Sequence, residues 1–158
     1  MPLLTPEECL QHCRAEPEDG PLLESLLASA ESAVAGHLNR AVFASAVELR
    51  AAQDALPLAA GEAQDAYDAA IANASSLNNS AAQEMAVFLA RERLAAAKLG
   101  FSRVLHGMVV NPRVTAAVRL TLGSLYANRE QVVVGVTAAE LPQGVAELLK
   151  PDRRTMMP

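Results

Sequence analysis

Tryptophan is absent from this 158-residue chain, and two tyrosines and three phenylalanines are its only aromatic side chains. Hydrophobic residues still make up 51% of it, because alanine supplies much of the apolar count. Alanine buries little area per residue, so such a core is thin, and a thin core gains stability by association with neighbours. Eight glycines are scattered singly, so none of them builds a phosphate-cradling loop. A nucleophile elbow and a His-Glu-x-x-His zinc motif are missing, and the lack of any Glu-x-x-His pair argues against a ferritin-like di-metal bundle. His12, His37 and His106 sit in three separate segments, none with a carboxylate in a triad-like setting. With no convergent polar constellation, the expectation is a protein without catalytic role, cofactor or metal.

Long apolar runs are missing too. No stretch approaches the ~18 residues that a membrane span requires. The first residues, Met1-Pro2-Leu3-Leu4-Thr5-Pro6-Glu7-Glu8, carry neither a basic region nor an apolar segment. The expectation is a soluble protein made in a cytoplasm, with no membrane partner. Cysteine occurs twice. Cys9 and Cys13 share a helical face with His12 beside them, but three ligands on one helix lack a fourth, and an i,i+4 pair is poorly placed for a disulfide. Free, half-buried thiols are expected.

The net charge is -5 and is distributed unevenly. Residues 1–40 hold two basic and seven acidic side chains, residues 41–100 four and seven, and residues 101–158 seven and four. The acidic front argues against a protein that grips DNA by neutralising phosphates, and the basic end can meet an acidic partner. A DNA-binding regulator would need a basic recognition helix. The nearest candidate, around Arg91 and Arg93, is interrupted by Glu92 and preceded by Glu84.

Helix signals run along the chain. Thr5-Pro6-Glu7-Glu8 opens a short helix with a capping box and a proline in its first turn, ending near Arg14. Glu16 to Pro21 reads as an acidic turn. Leu22, Leu23, Leu26, Leu27, Ala30, Val34 and Leu38 then share one helical face, closed by Asn39. Residues 44–100 contain 20 alanines in 57 positions, broken at Leu56-Pro57 with Gly61 and again at Asn73 to Ser80. With stripes at Tyr67, Ala70, Ile71, Ala74 and at Met85, Phe88, Leu89, Ala96, Leu99, this part reads as an alanine-rich helical hairpin or short coiled coil. Asn111-Pro112 opens a core helix reaching about Asn128, with Val114, Ala117, Val118, Thr121, Leu122, Leu125 and Tyr126 inward and Leu120 widening the stripe. Gln131 to Val136 is β-prone, Val145 to Leu149 makes a last short helix, and residues 151–158 form a tail. The fold expected is all-α: a small helical bundle (residues 3–42 and 106–150) forming one domain, with an alanine-rich helical hairpin insertion (44–100) and a C-terminal docking helix and tail.

The C-terminal third also carries an ordered set of fragments: Leu125-Tyr126-Ala127-Asn128-Arg129-Glu130, then Val132-Val133-Val134-Gly135, then Glu140-Leu141-Pro142-Gln143-Gly144-Val145, then Leu148-Leu149-Lys150-Pro151-Asp152-Arg153. Near the N-terminus stand a Thr-x-Glu-Glu helix start and His37-Leu38-Asn39-Arg40. Across residues 3–42 and about 106–154 the chain thereby resembles the head-tail connector (adaptor) family of long-tailed bacteriophages. Asp152 departs from the family pattern, which often has an aromatic residue there, and so argues against a stacking contact. The resemblance implies a virion protein that forms a homo-oligomeric ring, typically of twelve copies, below the portal protein. Such a ring extends the channel for double-stranded DNA without sequence-specific binding and presents a platform for a stopper, neck or tail protein. It also implies portal docking by the last helix and tail, here Val145, Leu148, Leu149, Arg153, Arg154 and Met156. Tyr126, Arg129 and Glu130 are candidate inter-subunit contacts. Tyr126 reads also as a core residue with its hydroxyl at the rim, and Arg129 as a complement to the helix C-terminus. Another neck protein, a stopper or tail terminator rich in β-structure, is the rival reading.

Overall fold

A computed structural model of the chain describes residues 2–128 and 144–155. The fold is all-α, with a single two-stranded pairing among the described residues. Helix α1 (Pro6–Cys13) begins as its sequence dictates: Thr5 accepts from the Glu8 backbone N–H, and the Glu8 side chain accepts from the Thr5 N–H. It stops at Arg14, whose left-handed backbone ends the α-helical run. A 3-10 turn (Pro17–Asp19) leads into α2 (Gly20–Leu38), which closes on Asn39, also left-handed. Strand β1 (Val42–Phe43), helices α3 (Ala46–Asp54), α4 (Leu56–Ser75) and α5 (Ser80–Leu105), strand β2 (Met108–Val109), and helices α6 (Pro112–Ala127) and α7 (Val145–Leu149) complete the order. None of these helices is long and apolar enough to cross a membrane.

The sequence reads as one domain carrying an insertion at 44–100, and the chain divides into two compact units, residues 1–46 with 108–158 and residues 47–107. In the first unit α2 packs along α6, α1 lies against both, and α7 rests on α6 and α2. Leu23, Leu27, Ala30, Val34 and Leu38 of α2 meet Val114, Ala117, Val118 and Leu122 of α6 in one buried cluster, which Leu4, Cys9, Val145 and Leu149 close. The apolar stripes read from the 3.6-residue period are thus the core stripes, apart from Leu22 and Leu120, which are exposed. The buried hydroxyl of Thr121 donates to the Ala117 carbonyl at 2.9 Å, so this polar group costs the core little. At Gly123 an added Cβ would stand 3.3 Å from His12 Nε2, so the missing side chain lets α1 lie close on α6. β1 pairs in parallel with β2, Val42 opposite Met108 and Phe43 opposite Val109, a non-local contact that local pattern does not announce.

In the second unit α4 and α5 form the expected hairpin, turning through residues 76–79. Three details differ from expectation. The break before α4 falls at Ala55, and Pro57 lies in the first turn of α4, where no backbone donor is needed. Gly61 interrupts nothing, and α5 runs past Gly100 to Leu105, because one glycine costs a helix only about 1 kcal/mol. The third concerns the seam. Met85, Phe88, Leu89, Ala96 and Leu99 are exposed, whereas the less exposed residues of α5 are Gln83, Ala86, Val87, Ala90, Leu94, Ala97, Phe101, Ser102 and Val104. Positions 83, 87, 90, 94, 97, 101 and 104 repeat with alternating spacings of four and three, the seam of a coiled coil. On α4 the matching residues are Ala59, Ala63, Tyr67, Ala70 and Ala74. Ala59, Ala63, Ala70 and Ala74 of α4 with Ala90 and Ala97 of α5 let the two helices lie close, and Tyr67, Ile71, Val87, Leu94, Phe101 and Val104 are half-buried with them.

Candidate functional site

The C-terminal segment is where the resemblance would put docking, and the structure ties its described residues down one by one. Gly144, with φ +92°, adopts a left-handed turn that glycine tolerates without strain, directly before α7. Val145 and Leu149 then point into the first unit's core and are fully buried. Leu148 is half-buried at its edge. Beyond α7 the chain returns along the end of α2: the Arg154 N–H donates to the Leu38 carbonyl at 3.0 Å, and Asn39 Nδ2 donates to the Arg154 carbonyl at 3.4 Å. These contacts use a carbonyl that the last turn of a helix leaves unpaired.

Asp152 is the pivot of this arrangement. Its Oδ2 accepts from Asn111 Nδ2 at 3.2 Å and pairs with Arg113 Nε at 3.2 Å. Asn111 is also the N-cap of α6, accepting from the Val114 N–H at 2.9 Å. A carboxylate beside a helix N-terminus is favoured by the helix dipole as well. The aspartate at the position where the resembled family often carries an aromatic residue thus makes a charged clamp, joining the tail to the start of the core helix. Nothing in the local sequence announces this, because the partners stand far apart along the chain.

The six residues expected to dock on a portal are therefore not equivalent. Val145 and Leu149 belong to the chain's own core, Leu148, Arg153 and Arg154 have surface to offer, and Met156 lies outside the described residues. Of the three candidate inter-subunit residues, Arg129 and Glu130 also lie outside the described residues, as does the β-prone Gln131 to Val136. Tyr126 is half-buried, and its hydroxyl donates to Asp19 Oδ2 within the same chain. This places the ring against the core with its polar end at the rim and ties the end of α6 to the acidic turn before α2.

A second polar link joins α1 to α6. Arg119 Nη2 meets Glu8 Oε1 at 2.8 Å on a partly exposed surface. The Thr5 backbone N–H, bonded to the Glu8 carboxylate, holds its pKa below the ordinary carboxylate value; partial desolvation opposes this, and Arg119 reinforces it. A lowered folded-state pKa contributes stability above the unfolded value, and that contribution is lost as pH falls through the lowered one. Glu8→Gln keeps a capping amide but removes the charge. The expected result is a flatter acid limb in a stability-versus-pH curve measured by urea denaturation, with neutral-pH cooperativity unchanged. An acid limb identical to that of the parent chain would remove Glu8 as a contributor.

Burial, aided by Cys13 and Glu8, pushes the Cys9 thiol up, so it remains protonated at neutral pH as a core side chain. Neither cysteine forms a disulfide. Among the described residues no three His, Cys, Asp or Glu side chains come together as a metal site. The described grooves are open: one of about 510 Å³ runs along Val110, Asn111, Pro112, Thr115, Ala116 and Arg119, and one of about 430 Å³ lies on α5 beside Phe88. What the described surface offers is contact area with fixed charges. Comparison with known protein families, with characterised proteins and with solved structures finds no match.

Proposed function

We propose that this chain is a ring-forming head-tail connector (adaptor) of a tailed bacteriophage, a structural protein of the virion neck with no catalytic site. In this reading identical copies, typically twelve, close into a ring below the portal protein. The ring extends the DNA channel and offers the next neck protein, a stopper or the tail, a place to attach. One observation carries the reading: the ordered motifs fall in residues 3–42 and 106–154, and the described parts of those two stretches pack into one core around α2 and α6. The segment between them, which resembles the family only loosely, is a compact unit of its own.

Physical considerations agree with this role. A ring of one chain needs two different patches that meet and close. An acidic protein lets DNA slide, because it does not hold phosphates. Portal contact would fall to Leu148, Arg153, Arg154 and Met156, since Val145 and Leu149 are occupied internally. The rival stopper or terminator reading calls for a strand-rich protein, and the helical fold weighs against it.

The test is assembly. Purified chain at high concentration, and chain mixed with the portal protein of the same phage, are examined by native mass spectrometry and negative-stain microscopy. Closed rings alone or on the portal are the expected result. A strict monomer under both conditions would overturn the proposal.

A further inference from the structure

The end of α2 gathers basic side chains that lie far apart in the sequence. Arg40 follows the Asn39 cap, and the returning tail is pinned beside it, because the Arg154 backbone bonds Leu38 and Asn39. Arg153 is exposed next to it, and Arg113 is tied to the same strap through Asp152. Asp152 stands among these four arginines, and Arg113 already occupies it. The carboxylates of the acidic turn, Glu16 and Glu18, belong to the start of this 19-residue helix, about 28 Å away and beyond the reach of exposed charges in physiological salt. Arg40 itself is short of partners. The residue is half-buried, its Nε is buried without a hydrogen bond, and its Nη1 meets the Met108 thioether at 3.9 Å. Its Nη2 makes no hydrogen bond within the chain and is not buried. His37, in the last turn of α2, also has a buried Nε2 without a partner. An arginine kept to cap a helix C-terminus bonds the last carbonyls, but here the Leu38 carbonyl is taken by the Arg154 N–H. A part-buried guanidinium with an unused donor carries a desolvation cost that a thioether contact does not offset.

We propose that Arg40, with Arg153 beside it, is a binding site for carboxylates of the partner protein that docks on this end of the chain, so that the surface opposite is acidic. The inference rests on the portal contact proposed above and deepens it: Arg40 comes from the end of α2, outside the segment to which the resemblance assigns docking. A guanidinium presents a planar fork of donors that matches a carboxylate in two bonds. This end of the chain already uses arginine–carboxylate chemistry once, in the Arg113–Asp152 pair. Phosphate offers the same charge, but strong phosphate contacts would hold DNA that has to slide, and the net charge of -5 opposes them. Arg40 is also preorganised: its inner nitrogen is enclosed while Nη2 stays open, so little side-chain freedom is left to lose on binding. The free chain therefore carries the cost of the arginine, and the complex recovers it.

The test uses the full-length chain with Arg40→Met, with Arg153→Glu, and with Arg93→Met, which removes one exposed charge from α5 as a control. Urea denaturation follows folding, and surface plasmon resonance follows binding to the portal protein of the same phage at low and at physiological salt. Arg40→Met is expected to leave the urea midpoint of the free chain unchanged or raised, because it removes a charge without a partner and keeps the apolar stem. It is expected to weaken portal binding by at least about tenfold and to reduce its salt dependence. Arg153→Glu should weaken binding too, and Arg93→Met should not. A lowered midpoint in Arg40→Met would make Arg40 a structural residue and overturn the site. Portal binding by Arg40→Met equal to that of the parent would overturn it as well, while leaving the portal contact intact. Binding of the parent to a duplex DNA fragment that Arg40→Met abolishes would overturn carboxylate as the ligand in favour of phosphate. A parent chain that never binds the portal would overturn the site and the portal contact together.

Discussion

Leu149→Ala is expected to destabilise the isolated chain by about 2–5 kcal/mol, the range for removing a large aliphatic side chain from a packed interior. The residue lies within the last tenth of the chain, where side-chain truncation is commonly tolerated. Its position says otherwise. Leu149 has no exposed surface and shares the core cluster with Leu38 on α2 and Val118 on α6. Five residues of helix cannot hold α7 in place by themselves. Anchors at both ends of the segment hold it: Val145 and Leu149 inward, then the Asp152 clamp and the pairing of Arg154 with the end of α2. Urea denaturation of the chain without partners is the measurement. A midpoint lowered at unchanged slope fits a residue of the folded core. An unfolding curve indistinguishable from the parent's would mean that α7 is undocked in the free protein, and would return Leu149 to the list of portal contacts. Arg153→Ala is the companion: it is exposed, and it should leave this curve in place while serving as a probe of portal binding.

Signals that act within one turn were legible in the sequence. Thr5, Pro6 and Glu8 specify the start of α1, and Asn111 with Pro112 specifies that of α6, because caps and first-turn prolines involve neighbours only. The stripes of α2 and α6 were legible for a related reason: each helix has one dominant apolar face, and a fold of this size has one place to put it. On α4 the stripe Tyr67, Ala70, Ile71 and Ala74 was legible and is the less exposed face, but α5 defeated the same logic. The cluster Met85, Phe88 and Leu89 marks one face by size, but the less exposed face of α5 carries Val87, Leu94, Phe101 and Val104 together with Ala90 and Ala97. Apolar side chains stand on both faces, so size alone does not select the seam. Partners distant in sequence were not legible at all. Asp152 with Asn111 and Arg113, Tyr126 with Asp19, Glu8 with Arg119 and the β1–β2 pairing join residues that no spacing rule connects. Most of the polar architecture of the candidate docking surface is of this kind. The resemblance drew attention to the C-terminal segment without separating its core residues from its surface ones.

Ala90→Asp is the second large effect expected, and it tests the hairpin from within. Ala90 is 4% exposed at the middle of the α5 seam, and Ala74 on α4 is 1% exposed. These are the two buried side chains of the second unit among the described residues. An alanine seam gains little from area burial, so the unit depends on helix propensity and on the helices lying close. An aspartate at position 90 either parts the helices or buries a carboxylate without a partner, at a cost on the order of 3–5 kcal/mol. A pair of helices with so small a core has no reserve to absorb this, so α4 and α5 should lose their mutual protection. The core cluster of the first unit contains no residue from 47–107, so α2 and α6 should stay folded. Hydrogen exchange read by mass spectrometry separates the two outcomes: faster exchange confined to residues 56–105, with protection retained in residues 20–38 and 112–127. Uniform deprotection would mean that the units share one cooperative transition, and unchanged exchange in α5 would mean that position 90 does not face α4.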